Sequence, residues 1–276
     1  MRDIDTVAIV QALHLPTSCR VDQRVPKKML AEHGAPTAAD RRLLTDGIDE
    51  LQWIAALKPG TVAIPEHRAD GREYLEVAVL SVQVRATHGR ASQWLRLAEL
   101  VHRAVPYPVL LIQTLVPSVT AMPDGGPPPP QAQLALSLAH KRAAQKEAGK
   151  TVLDGELVRS ELLGPDPGAA PVAGPLLEAM ALDRQPHQDL MALYQGWMDC
   201  LTAAEAARLT GNFRLPNSPT EAAAQREALR ACQRLEQEAA SLRSQAGKER
   251  QIAKRVDLNL ALQRLQVDLN AARARL

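Results

Sequence analysis

Apolar residues recur at helical spacing over residues 4–15 and stop before Pro16, which predicts a first helix. Pro26 stands where a second helix can begin, and residues 27–33 lead to Gly34, a C-terminal stop. Thr37 is an N-cap with Asp40 at the capping-box position, and the apolar spacing through Leu43, Leu44 and Ile48 carries that helix to about Leu51. The pattern then changes. Residues 51–57 are apolar around Trp53 and Ile54, Lys58-Pro59-Gly60 signals a turn, and a short run at 62–64 ends at Pro65. A polar loop with Asp70-Gly71 leads into residues 74–84, the strongest strand pattern in the chain. These pieces suggest an antiparallel meander.

Residues 92–104 form an amphipathic pattern with Leu95, Leu97, Leu100 and Val101 facing inward, broken by Pro106-Tyr107-Pro108. The continuous apolar run 109–112 reads as a buried strand. A Gly/Pro-rich loop covers 122–130, and further strands are expected at 134–138 and 152–158. Helix, strands, helix, strands is an α+β order: a mixed α/β domain with a mainly antiparallel sheet over residues 1–163. The Gly164-Pro165-Asp166-Pro167-Gly168 segment opens a Pro/Gly-rich linker over 164–184.

A helical region follows over 185–276. Its first helix starts near Pro186, places Leu190, Leu193, Trp197, Cys200 and Leu201 on one face, and ends at Gly211. Ser218 caps the next, with Pro219 at the first helical position. Over 218–276, Leu229, Cys232, Leu235, Ala239 and Leu242 form one row, and Leu258, Leu262, Leu265, Leu269, Ala272 and Leu276 form a second. Spacings of three and four describe a coiled-coil-like tail. It can fold as a hairpin bending at Gly247, or run on as one helix that pairs with another chain.

Composition adds bounds. Of 276 residues, 46% are hydrophobic and only 3% aromatic, so the core must come from aliphatic side chains and alanine. The net charge of +2 neither requires nor excludes nucleic acid, although residues 241–276 hold eight Lys/Arg against three Asp/Glu. Cys19, Cys200 and Cys232 are widely spaced, which matches no zinc pattern and suits a reducing cytoplasm. No stretch approaches the length of a membrane span, and the acids near the N-terminal apolar run disfavour a secretory signal.

Candidate chemistry is sparse. No phosphate loop, dinucleotide fingerprint or nucleophile elbow occurs, and the seven histidines form no HxH or HExxH pair, so neither a cofactor nor a metal site is expected. Asp49 and Glu50 before one strand, with Glu76 in the next and Lys58 or Lys141 as the cation, sketch a metal-dependent nuclease. Glu76 lacks the lysine two residues on that such sites use. Basic clusters at Arg20, Arg24, Lys27 and Lys28, and at His140-Lys141-Arg142, are candidates for contact with phosphates or a partner's acids, although such residues more often form a solvated surface.

Several segments carry a resemblance: Val21-Asp22-Gln23-Arg24-Val25-Pro26-Lys27-Lys28, Asp49-Glu50-Leu51-Gln52-Trp53 with Leu57-Lys58-Pro59, Glu73-Tyr74-Leu75-Glu76, Pro106-Tyr107-Pro108, 136–142, and 248–251 with 256–259. In this order they resemble a bacterial family known as domain of unknown function 4391. The resemblance implies an operon companion of a helicase and a DNA methyltransferase in phage-defence loci, and it transfers no catalytic residues. The expected function is a non-catalytic accessory subunit of a DNA-acting complex. It would dock on either partner, or on a second copy, through Leu258, Leu262, Leu265 and Leu269. Arg24, Lys27, Lys28, Lys141 and Arg142 are its candidates for DNA contact. The alternatives are the nuclease built on Asp49, Glu50, Glu76 and Lys58, and a DNA-binding module.

Overall fold

The computed structural model describes residues 4–85, 91–115, 133–144, 151–163 and 169–276. The expected loop at 122–130 and the start of the linker at 164–168 lie outside them. The chain divides into two compact units, Met1–Leu201 and Thr202–Leu276. Helix α7 spans the division.

In the first unit α1 (Thr6–Ala12) is capped by Asp5, whose carboxylate accepts from Ala8 N. Strand β1 (Arg20–Arg24), α2 (Lys27–Gly34), α3 (Ala38–Gly47) and β2 (Ile48–Leu57) follow. The Thr37 cap forms as expected: its hydroxyl accepts from Asp40 N and donates to the Asp40 carboxylate. That helix stops four residues earlier than its apolar spacing suggests. Residues 48–51 open β2, because Ile48 and Leu51 pair into the sheet opposite Val84 and Val82. After the single turn α4 (Pro59–Val62), β3 (His67–Ala69) and β4 (Arg72–Tyr74) form a hairpin. Its corner needs two residues at positive φ, and Asp70 (53°) with Gly71 (73°) supplies them.

The expected strand 74–84 is therefore two pieces, with β5 (Val77–Val84) starting after Glu76. Helix α5 (Ala91–Ala104) connects it to β6 (Val109–Leu115), and β5 and β6 run parallel. β7 (Gln133–Leu138), the short pair β8 (Lys141–Ala143) and β9 (Thr151–Leu153), and β10 (Val158–Leu163) complete the strands among the described residues. The strand expected over 152–158 thus falls across the end of β9 and the start of β10. The large sheet has the order β1-β2-β5-β6-β7-β10, antiparallel at every pairing except β5–β6. This is the α+β fold with a mainly antiparallel sheet that the residue pattern predicts.

Strands β5 and β6 are buried on both faces, which explains their near-continuous apolar runs. Ala78, Leu80, Val82 and Leu111 meet Trp94, Leu97, Leu100 and Val101 of α5 in one core, with Leu30 of α2 and Leu44 of α3. The inward set of α5 corrects one expectation. Trp94 is buried and Leu95 is 48% exposed: the inward row runs through 94, 97, 98 and 101, and Leu95 falls outside it. Asp40 then ties α3 to α5 through a two-pronged ion pair with Arg96 at 2.8 and 3.0 Å. The guanidinium first, and the Thr37 hydroxyl next, hold the Asp40 carboxyl down to about 2.

Helices α2 and α5 meet at Gly34. A Cβ there would sit 2.5 Å from Ala104 Cβ and 2.8 Å from Leu100 O. Both neighbours belong to helix backbone or its first carbon and cannot swing away. Gly34→Ala is therefore expected to cost about 1–3 kcal/mol by forcing the helices apart. Urea denaturation checks this; a midpoint equal to the parent's would refute the close approach.

Residues 169–184, expected as linker, are ordered secondary structure: α6 (Ala169–Ala179) and a 3-10 turn at Leu182–Arg184. Ala173, Leu176 and Met180 are buried there, and Trp197 of α7 (Leu190–Thr210) donates to Met180 O. Proline and glycine punctuate this stretch without unfolding it, since its apolar residues are covered.

The second unit holds the end of α7, then α8 (Pro219–Lys248) and α9 (Ile252–Arg273). Ser218 caps α8 by accepting from Glu221 N. The two long helices form an antiparallel hairpin, with Cys232 against Leu269 and Ala272, and Arg273 paired to Glu236 at 2.8 Å. The break falls at Glu249–Gln251; Gly247 stays within α8.

Candidate functional site

The structure separates the acids of the nuclease sketch. Asp49 and Glu50 lie at the start of β2, Lys58 follows its end, and Glu76 directly precedes β5. From Glu50 to Lys58 an extended strand spans about 26 Å. Each group has its own partner: Asp49 with Arg85 at 3.3 Å, Glu50 with the Gln52 amide at 3.1 Å, and Glu76 with Lys58 at 3.1 Å. Asp49, Glu50 and Glu76 make no common site. Among the described residues no group of three His, Cys, Asp or Glu side chains is placed to hold a metal ion.

The basic candidates divide. Lys27 turns inward and donates to Ile48 O (2.8 Å) and Thr45 O (3.3 Å), so it caps the end of α3. Lys28 is exposed and pairs with Glu32, and Arg24 is exposed. Lys141 is a correction: expected at the surface, it is 3% exposed. Its ammonium donates to Val105 O, just past the end of α5, where the helix dipole favours a cation. Leu265 and Leu269, expected to meet a partner, are buried inside the hairpin, and Leu258 and Leu262 are half-buried on the same side of α9.

Lys141 nevertheless marks a site. The last turn of α5 brings His102 and Arg103 to the end of α2 at His33 and Gly34, and the β8–β9 pair closes the other side with Lys141, Arg142 and Thr151. These residues line a cleft of about 510 Å³. It adjoins an apolar groove of about 370 Å³ walled by Met29, Trp53 and Pro106, and His33, Arg103 and Thr151 belong to both. The cleft exists because Gly34 lets α2 end hard against α5 while Lys141 anchors β8 to the same helix end.

Electrostatics within it are uneven. Burial pushes the Lys141 ammonium down to about 7. His102 is fully buried; burial, and then the neighbouring Lys141 charge, push it down to about 3, so its imidazole is neutral. His102 Nε2 lies 3.0 Å from Ser137 Oγ of β7, and its Nδ1 has no hydrogen-bond partner among the described residues. Arg103 gives its Nε and one Nη2 contact to Glu99, at 3.0 and 2.8 Å. Arg142 stands 3.7 Å from Asp154. Both guanidinium groups keep further N–H donors, since each carries five.

Behind the cleft, the segment leading into β8 is held by aromatic and polar contacts. Tyr194 of α7 receives Ala139 N–H (2.9 Å), and its own hydroxyl proton can go to Val109 O (2.8 Å) or Ala139 O (3.0 Å). Tyr74 bonds His140 Nδ1, and His140 Nε2 faces Gln195 Oε1 at 2.8 Å. His67 pairs with Asp189 at 2.8 Å. His33, His102, Arg103 and Tyr194 were not singled out from the residue pattern. One signal pointed to His102: it falls on the apolar face of α5, eight residues after Trp94, where a polar residue needs a reason.

The fold and the cleft define an α+β protein carrying a basic, ligand-sized cavity beside an apolar groove. The chain belongs to the family described as "Domain of unknown function (DUF4391)", which matches residues 13–269. No curated protein and no solved structure matches it. No helix among the described residues is long and apolar enough to cross a membrane.

Proposed function

We propose that the chain is a non-catalytic accessory subunit of a bacterial DNA-acting complex, docking on a helicase or DNA methyltransferase encoded beside it. The observation that carries this reading is a second apolar row on α9. Ile252, Val256, Leu260 and Val267 are 72%, 51%, 48% and 67% exposed. Their spacings of four, four and seven set them on one side of the helix, opposite the row that faces α8. A helix apolar on two sides has covered only one of them among the described residues. Beside the exposed row stand Arg264 and Arg275 with the acids Asp257 and Asp268, a rim of mixed sign. That rim suits an apolar groove bordered by charges of both signs on the partner. The free thiols Cys19, Cys200 and Cys232 fit a reducing cytoplasm.

Native mass spectrometry after co-expression with the neighbouring gene products tests the reading. The parent chain is expected in a stoichiometric complex. Leu260→Asp, at an exposed position, is expected to leave folding intact and abolish that complex. A complex indifferent to Leu260→Asp and Val256→Asp, or no complex at all, overturns it.

A further inference from the structure

The cleft between α2, α5 and the β8–β9 pair shares no residue with the α9 row, so it raises a question independent of docking. Arg103, Arg142 and His33 approach it from three elements, and His102 lies in its wall. The Glu99 carboxylate occupies two of Arg103's N–H groups, leaving three for another acceptor. Asp154 is shared: it binds Arg72 closely and stands 3.7 Å from Arg142, so two guanidinium groups lean on one carboxylate. This arrangement leaves positive charge unmatched at the mouth of a cavity.

His102 points the same way. A buried imidazole nitrogen without a partner costs free energy, and native proteins tolerate one where a ligand or water completes it. Nε2 is already engaged by Ser137 Oγ at 3.0 Å, so Nδ1 is the nitrogen left over. Arginine forks bind carboxylates and phosphates alike, but donors from three elements match the three terminal oxygens of a phosphate monoester better than the two of a carboxylate. The adjoining groove is apolar and offers the Trp53 ring, half-buried beside Met29 and Pro106. Together the two compartments accept a charged head and a flat, weakly polar body.

We propose that this cleft binds a nucleoside 5′-phosphate, with the phosphate held by Arg103, Arg142 and His33 and the base lying in the groove at Trp53. The same chemistry occurs in a free nucleotide and at the 5′ end of a DNA strand. Arg103 and Arg142 hold the anion, His102 completes the wall behind it, and Met29 and Trp53 exclude water from the base.

Isothermal titration of the full-length chain tests this with four probes: dAMP, inorganic phosphate, a 5′-phosphorylated tetranucleotide and the same tetranucleotide without its phosphate. Binding of dAMP is expected, with inorganic phosphate at least about tenfold weaker because it leaves the groove empty. Arg142→Gln, at a partly exposed position, is expected to weaken dAMP about tenfold or more while the thermal midpoint holds. Met29→Ser is expected to weaken dAMP and leave inorganic phosphate unchanged. A tetranucleotide that binds like dAMP, and only when phosphorylated, assigns the site to strand ends. One that fails to bind while dAMP succeeds assigns it to free nucleotides. Either result upholds the site. Absence of binding by both dAMP and the phosphorylated tetranucleotide overturns it, as does dAMP affinity unchanged in folded Arg142→Gln and Arg103→Gln. Tetranucleotide binding that ignores the 5′-phosphate also overturns it, since the contact would then be to the strand's backbone.

Discussion

Tyr194→Ala is expected to destabilise the first unit by about 3–5 kcal/mol, the range for deleting a buried aromatic side chain. Tyr194 is fully buried, and its ring lies 5.7 Å from that of Tyr74 and 5.6 Å from that of His140. Removing it opens a cavity between α7 and the ends of β6 and β7. Tyr194→Phe separates packing from hydrogen bonding. The ring stays, but Ala139 N–H loses its 2.9 Å acceptor and Val109 O its 2.8 Å donor. Stranding a buried backbone donor costs about 1–3 kcal/mol, so the phenylalanine variant should fall between parent and alanine. Urea unfolding with unchanged m-values reads both differences. Equal midpoints for parent and Tyr194→Phe would show that the hydroxyl satisfies nothing. Ala139 leads directly into His140 and Lys141, so loosening it also loosens the wall of the cleft.

How much of this was legible before folding depends on the range of the signal. Caps are local, and Asp40 after Thr37 and Pro219 after Ser218 both mark helices that form. The apolar runs 109–112 and 134–138 are strands because double-sided burial leaves no polar face to read otherwise. Residues 48–51 misled because Leu44, Ile48 and Leu51 keep helical spacing, while the partner that makes them a strand, β5, lies some 30 residues on. Leu95 misled because it stands one position off the row 94, 97 and 101 that α5 buries, and Trp94 takes the inward place with the larger area. The tail's leucine row was legible as a seam, but whether it would meet α8 or another chain was not, since both satisfy the same pattern. The cleft was the least legible part. It assembles His33, His102, Arg103 and Lys141 from α2, α5 and β8, with no short motif to announce it. Lys141 looked solvated because it sits in a basic run; only the fold shows Val105 O waiting for it.

That buried lysine leads to the second large effect, a pH dependence of the same sense as acid denaturation's carboxylates but set in the neutral-to-alkaline range. In the folded chain Lys141 is held down to about 7 by burial, whereas in the unfolded chain it titrates near its usual 10.5. Between these values the unfolded state binds more protons than the native one, so stability rises with pH across the window. Below pH 7 both states are protonated and the full cost of burying the charge is present; above about 10.5 both are neutral and the cost has gone. The span corresponds to about 4–5 kcal/mol as an order of magnitude. Cysteines and tyrosines also titrate in alkali, which makes the comparison with Lys141→Met essential. Methionine keeps the apolar stem and removes the titration, at the loss of the hydrogen bond to Val105 O. The stability of the parent relative to Lys141→Met is therefore expected to climb steadily from pH 7 to pH 10. At pH 6 the variant should compare most favourably, because it has lost a charge that is costly to bury and that also disfavours protonation of His102. Unfolding free energies of both proteins at pH 6, 8 and 10 measure this directly. A difference that stays constant across those values would mean that Lys141 remains fully charged in the fold, its ammonium stabilised by the α5 carbonyl end well enough to cancel its burial.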